Sequence, residues 1–107
     1  MVQDLSVLEV SDRLKRGDEN FIVVDVREPW EIAIASVPGT LNIAMNSMPA
    51  HIGELPQDKE IAVLCHHGNR SRRVAEFLER SGFEKVYNIA GGIAAWSHSI
   101  DPTIPQY

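Results

Sequence analysis

The only cysteine of the chain, Cys65, stands where an apolar run, IAVL, gives way to a cationic one, HHGNRSRR. His66, His67, Arg70, Arg72 and Arg73 all fall within the next eight residues, with no acid among them. An apolar run followed by a short loop and a helical pattern predicts that Cys65 leaves a strand and that the chain enters a helix near 69–71. Amide N–H groups of such a loop, with the free ones of the first helical turn, can converge on one centre and bind negative charge. The helix dipole adds to that field. Gly68 lets the backbone bend where a side chain would obstruct it. A thiol so placed should ionise more readily than a free one, and the thiolate is the nucleophilic form. The competing interpretation is an inert cysteine buried at a strand end.

The surrounding charge narrows the ligand. The stretch 66–73 supplies +3 of a net −5, leaving −8 for the rest of the chain. A nucleic-acid partner would need a broad basic face, so none is expected. A small anion drawn to one local positive spot fits better, although Arg72 and Arg73 could equally be a solvated helix face. Cys65, His66 and His67 are all metal-ligating types, but adjacent residues lack the usual ligand spacing, so no metal is expected. One cysteine excludes an intrachain disulfide.

The elements that must position these groups follow from periodicity. With 107 residues, 44% apolar and 23% charged, the chain suits one domain with one modest core. We expect a single domain over 1–107, with its core at about 5–98. No apolar run approaches a membrane span, and MVQDLSVLEVSD does not resemble a signal peptide, so no membrane partner and a cytoplasmic location are expected. A short strand and then a helix carrying Val7, Val10 and Leu14 end at Gly17. Residues 21–26, FIVVDV, form the clearest strand, apolar as a parallel strand covered on both faces should be. Pro29 opens a helix. A turn at Pro38-Gly39 leads to a short strand at 41–43, and SMPAHIGEL to a short helix. IAVLC is a buried strand. SRRVAEFLERSG is a helix with Val74, Phe77 and Leu78 inward, ended by Gly82. KVYNI is a strand, GGIAAWSHSI a helix, and DPTIPQY, residues 101–107, an extended tail. Alternating strands and helices predict an α/β sheet with helices on both faces, and ligands then bind beyond the carboxyl ends of the strands. DVRE and CHHGNRS both lie at such ends.

These stretches also carry a resemblance. DVREPWE, VPGTLNIA, VLCHHGNRSRRVA and VYNIAGGIAAW, in this order, resemble a single-domain sulfurtransferase of the rhodanese type over about residues 5–96. The resemblance implies a small, mostly parallel five-stranded sheet flanked by helices. It also implies a reaction: the Cys65 thiolate takes the outer sulfur of thiosulfate, releases sulfite, and passes sulfur from a persulfide to cyanide, a cellular thiol or an accepting protein. No cofactor is expected. Cys65 is then the nucleophile. His66, His67, Gly68, Asn69, Arg70 and Ser71 form the cradle, mainly through backbone N–H, with Arg70 also attracting the sulfonate. Asp25 and Arg27 brace the loop, with Arg27 nearer the substrate, or else form a structural ion pair tying two strand ends. Trp30 and Trp96 are expected to pack, Gly91 and Gly92 to allow a tight turn, and His51 and His98 to face solvent.

Two departures stand out. Ser36 occupies the position of a histidine common in the family, and His66 follows the cysteine where many relatives carry arginine. The second makes affinity for thiosulfate lower or pH-dependent, because histidine titrates near neutrality. One rival is a cysteine-loop phosphatase or arsenate reductase. Only four residues separate Cys65 from Arg70, one fewer than a phosphate cradle needs, and Leu64 rather than histidine precedes the cysteine. The other rival is a docking module or passive sulfur carrier, which shares most of the chemistry.

Overall fold

The computed structural model describes residues 2–107. The strands are β1 (Gln3–Leu5), β2 (Phe21–Asp25), β3 (Leu41–Asn42), β4 (Glu60–Leu64) and β5 (Val86–Ile89). They form one sheet in the order β1-β5-β4-β2-β3, and every pairing is parallel. The helices are α1 (Val7–Lys15), α2 (Pro29–Ile34), α3 (Met48–His51), α4 (Asn69–Arg80) and α5 (Gly92–Ser99), with single 3-10 turns on either side of α3. The expected α/β sheet with helices on both faces is therefore what forms.

Period-two alternation divides the core. Ile61, Val63 and Cys65 face a cluster with Val74, Ala75 and Leu78 of α4 and with Met48, Leu55 and Phe83. Ala62 and Leu64 face the opposite cluster, with Val7 and Val10 of α1, Ile93 and Trp96 of α5, and Ile104. β4 is central and buried on both sides, which is why it reads as an unbroken apolar run. Local signals close the helices: Ser6 accepts from Glu9 N at 3.1 Å, Pro29 opens α2, and Gly82 follows α4 at φ 104°.

Register sets the site. Asp25 lies opposite Leu64, and Val26 N donates to Leu64 O at 2.9 Å, so the ends of β2 and β4 are side by side. The stretch expected to be an extended tail instead turns back: Ile104 N donates to Asp101 O at 3.1 Å, Ser97 Oγ donates to Ile104 O at 2.6 Å, and Ile104 is buried. An apolar residue between two prolines is enough to anchor it, because Ile104 joins the α1–α5 cluster.

Candidate active site

Cys65 follows β4 directly, and Gly68 caps α4 at φ 108°. Between them the loop bends so that Gly68 N–H donates to Cys65 Sγ at 3.1 Å. The amides of Asn69, Arg70 and Ser71 belong to the first turn of α4, where no helical carbonyl lies behind them. On its other side the loop is held by α5. Ile93 N donates to Cys65 O at 2.8 Å and Ala94 N to His66 O at 3.1 Å. The two carbonyls are thus tied to the start of α5, away from the helix start that faces the sulfur. Gly92 makes this contact possible: at φ +59°, a Cβ there would lie 2.4 Å from Cys65 O and 2.5 Å from His66 O. The sequence expectation of a tight turn at Gly91-Gly92 missed this direct seat against the loop.

The side chains around the loop are paired more fully than expected. Both terminal nitrogens of Arg70 go to Glu31, Nη1 to Oε1 at 2.6 Å and Nη2 to Oε2 at 2.8 Å. Oε1 of Glu31 also accepts from Glu28 N at 3.0 Å, and Oε2 from the Tyr107 hydroxyl at 2.7 Å. The Arg70 guanidinium, ahead of the opposing effect of burial, holds the Glu31 carboxyl down at about 2. Arg70 is in turn fixed in its charged form, chiefly by the same bonds. Arg70, expected to attract a sulfonate, thus already has both terminal nitrogens on a buried carboxylate.

For Arg27 two arrangements were expected, one near the substrate and one a structural ion pair with Asp25. Arg27 is fully buried, with Nε and Nη2 on the Asp25 carboxylate at 2.8–3.2 Å. Nη2 donates to Ala35 O at 2.7 Å and Nη1 to the Tyr107 hydroxyl at 2.9 Å. Asp25 and Arg27 therefore tie the end of β2 to the end of α2 and to Tyr107, the arrangement of a structural ion pair, and Arg27 offers no exposed surface to a substrate. Asn42 of β3 secures the same corner by donating to Asp25 O at 2.8 Å and Arg27 O at 3.2 Å.

Tyr107 also lies parallel to His66, with ring centroids 4.0 Å apart and 4° between planes. His67 stacks on the other side at 3.9 Å and 28°. Burial, followed by the neighbouring His67, pushes His66 below its ordinary value of 6.5. His67 and Asn69 are exposed, Ser71 is buried, and Ser71 Oγ lies 3.2 Å from Cys65 Sγ. Trp96 packs in the core as expected, whereas Trp30 is 62% exposed and touches Tyr107 only edge-on, at 6.2 Å. His98 is exposed, and His51 pairs with Glu54 at 2.7 Å. Among the described residues, no group of three His, Cys, Asp or Glu is placed to hold a metal ion, and no helix is long and apolar enough to cross a membrane.

Comparison with known proteins decides the family. A family model described as "Rhodanese-like domain" matches residues 6–99. The chain belongs to the rhodanese-like domain family. Its similarity to a protein named "Sulfurtransferase" from Allochromatium vinosum is 33% identity, over 99% of each chain. It is 34% identical to a protein named "Thiosulfate sulfurtransferase GlpE" from Tolumonas auensis, over 71% of this chain and 72% of that protein. It is 40% identical to "Rhodanese-like/PpiC domain-containing protein 12, chloroplastic" from Arabidopsis thaliana, but spans only 38% of that protein's length. Among solved structures, a rhodanese-related protein from Thermoplasma volcanium superposes with a TM-score of 0.83 at 30% identity, over 98% of this chain and 99% of that one. Within this rhodanese-like domain, Glu31 and Tyr107 are contributors that sequence reasoning missed, as are Asn88, whose Oδ1 accepts from Ser71 Oγ, and Asp4, which accepts from Asn88 Nδ2 at 3.1 Å. Glu31 alone left a signal, as an acid in the first turn of a helix that follows a strand end beside the cationic loop.

Proposed function

We propose that this domain is a sulfurtransferase in which Cys65 carries sulfane sulfur between a small anionic donor and a thiophilic acceptor. The observation that carries this reading is the position of Cys65 Sγ. It sits at the carboxyl end of β4, under the Gly68 N–H at 3.1 Å and before the N-terminus of α4. The Cys65 thiolate attacks the outer sulfur of thiosulfate. A new S–S bond forms, the bond to the sulfonate sulfur breaks with its electron pair, and sulfite departs with charge −2. Cys65–S–S⁻ remains, and a thiol or cyanide takes its terminal sulfur and returns the thiolate. The amides of the loop, residues 66–71, suit either anion, and the dipole of α4 favours both. Well-aimed amides at such a centre are each worth about 3 kcal/mol in a transition state.

Incubation with thiosulfate followed by intact mass measurement tests this, with Cys65→Ser as control. Gain of one sulfur by the wild type alone, with thiocyanate formed from cyanide, supports it. Full activity in Cys65→Ser overturns it.

One observation favours a second reading, a sulfur carrier loaded by a protein or low-molecular-weight persulfide. Because both terminal nitrogens of Arg70 are bonded to Glu31, Arg70 offers less free charge to a dianionic donor. A relative from Bacillus subtilis named "Putative sulfur carrier protein YrkF" is 33% identical over 84% of this chain and 49% of that protein. Rapid persulfidation of Cys65 by a persulfide, with slow turnover of thiosulfate, distinguishes this reading from the first.

A further inference from the structure

A hydrogen-bonded chain runs from Cys65 to the protein surface. Cys65 Sγ donates to Ser71 Oγ at 3.2 Å, and Ser71 Oγ donates to Asn88 Oδ1. Asn88 Nδ2 donates to Asp4 Oδ1 at 3.1 Å, and Asp4 also accepts from Arg72 Nη2. Cys65, Ser71 and Asn88 are 1%, 0% and 2% exposed, so no member of the inner trio can turn to solvent instead. Asp4 and Asn88 are register partners on β1 and β5.

The polarity follows from what each group can donate. A carboxylate only accepts, so Asp4 orients the Asn88 amide with its nitrogen outward and its oxygen toward Ser71. An amide oxygen also only accepts, so the single hydroxyl proton of Ser71 goes to Asn88. What Ser71 then presents to Cys65 is a lone pair. A lone pair at 3.2 Å accepts from a thiol and opposes a thiolate.

We propose that Asn88 is a positioning residue: oriented by Asp4, it holds the Ser71 proton away from Cys65, and the sulfur stays a thiol until that proton turns from Asn88 Oδ1 to Cys65 Sγ. In that change the thiol proton leaves to water, Ser71 becomes a donor to the thiolate, and Asn88 Oδ1 loses its donor. Gly68 N–H and α4 favour the thiolate, whereas the Asp4–Asn88–Ser71 chain favours the thiol. The resting balance between them is a property of this chain. The inference rests on Cys65 being the reacting sulfur, but its test uses no sulfur donor, so the two readings fail separately.

The test is titration of the thiolate by its ultraviolet absorbance in the full chain. Cys65 is the only cysteine, so Cys65→Ser provides the blank. The charged and titratable groups at this end of the sheet include Arg70 with Glu31, Glu28, Asp25 with Arg27, His66, His67, Tyr107, and Asp4 with Arg72. Asn88→Leu leaves all of them in place. It releases the Ser71 proton to Cys65, and at a fixed pH below the midpoint the thiolate fraction rises about tenfold, the worth of one hydrogen bond to a charged group. In a Ser71→Ala background the same substitution has no effect. No change, an upward shift of the midpoint, or an equal downward shift without Ser71 would each overturn the proposal.

Should Asn88→Leu fail to fold, the surface substitution Asp4→Ala replaces it by releasing the amide to flip. Its charge effect is the same with and without Ser71, so the difference between the two backgrounds is the readout. A larger downward shift with Ser71 present supports the proposal, and equal shifts overturn it.

Discussion

Arg70 and Glu31 meet fork to fork across the mouth of the cysteine loop, at 2.6 and 2.8 Å. The pair joins α4 to α2, and Glu31 is 3% exposed. Bidentate geometry and partial shielding from water make it stronger than an ordinary surface pair.

Replacing Glu31 by glutamine should therefore lower stability by about 2 kcal/mol at neutral pH. The folded-state carboxyl is held at about 2, below its ordinary 4.5. The contribution of Glu31 is fully present above 4.5 and is lost as pH falls through 4.5 toward 2. Urea midpoints of wild type and Glu31→Gln should thus differ at pH 7 and converge at the acid end of that window. The same variant frees Arg70, and its KM for thiosulfate should fall if that anion is the donor.

Arg27 provides a test of bracing against substrate contact. Arg27→Lys keeps the charge but cannot reach Asp25, Ala35 and Tyr107 together. We expect a loss of about 3 kcal/mol in unfolding free energy. Per folded molecule, KM for the sulfur donor should stay within about twofold of wild type. A KM that rose tenfold while stability held would return Arg27 to the substrate.

The Tyr107 ring covers the His66 imidazole, with centroids 4.0 Å apart. Removing its ring in Tyr107→Ala uncovers the imidazole, and burial is the first cause of the depression of His66. The His66 midpoint, followed by NMR, should rise toward 6.5. Tyr107→Phe keeps the stack and should leave that midpoint near its wild-type position, while costing about 1 kcal/mol for the lost hydroxyl bonds. Because burial lowers the His66 midpoint below 6.5, any help it gives to anion binding should grow on acidification.

Gly92 fixes how closely α5 seats on the loop. Gly92→Ala would drive a methyl group to 2.4 Å from Cys65 O. Gly17, with φ +67° and nothing within 4 Å, is the matched control for backbone strain alone. Gly17→Ala should cost about 1–2 kcal/mol, and Gly92→Ala clearly more, with loss of persulfide formation from the residual folded fraction. Equal costs would show that the seat tolerates a methyl group.

Much of this molecule was legible in one dimension because the relevant forces are local. The run FIVV and the run IAVL announce strands covered on both faces, and the sheet forms as expected. Cys65, Gly68 and Ser71 were legible because a strand end, a left-handed glycine and a helix start are neighbours along the chain. Arg27 was the harder case: the motif Asp-x-Arg showed a pair, and only its burial showed that the pair faces inward.

Contacts between distant segments are visible only once the chain has folded. Glu31 and Arg70 are 39 residues apart, Arg27 and Tyr107 80, and Asn88 and Asp4 84. No periodicity links such positions, since they meet only after parallel pairing has set register and the last residues have turned back over α5. A lone thiol at the junction of an apolar run and a cationic one was legible along the chain, as were the glycine and the helix start beside it. The fold determined how much charge is left there, because whether a side chain is free or already paired depends on neighbours that the chain brings together last.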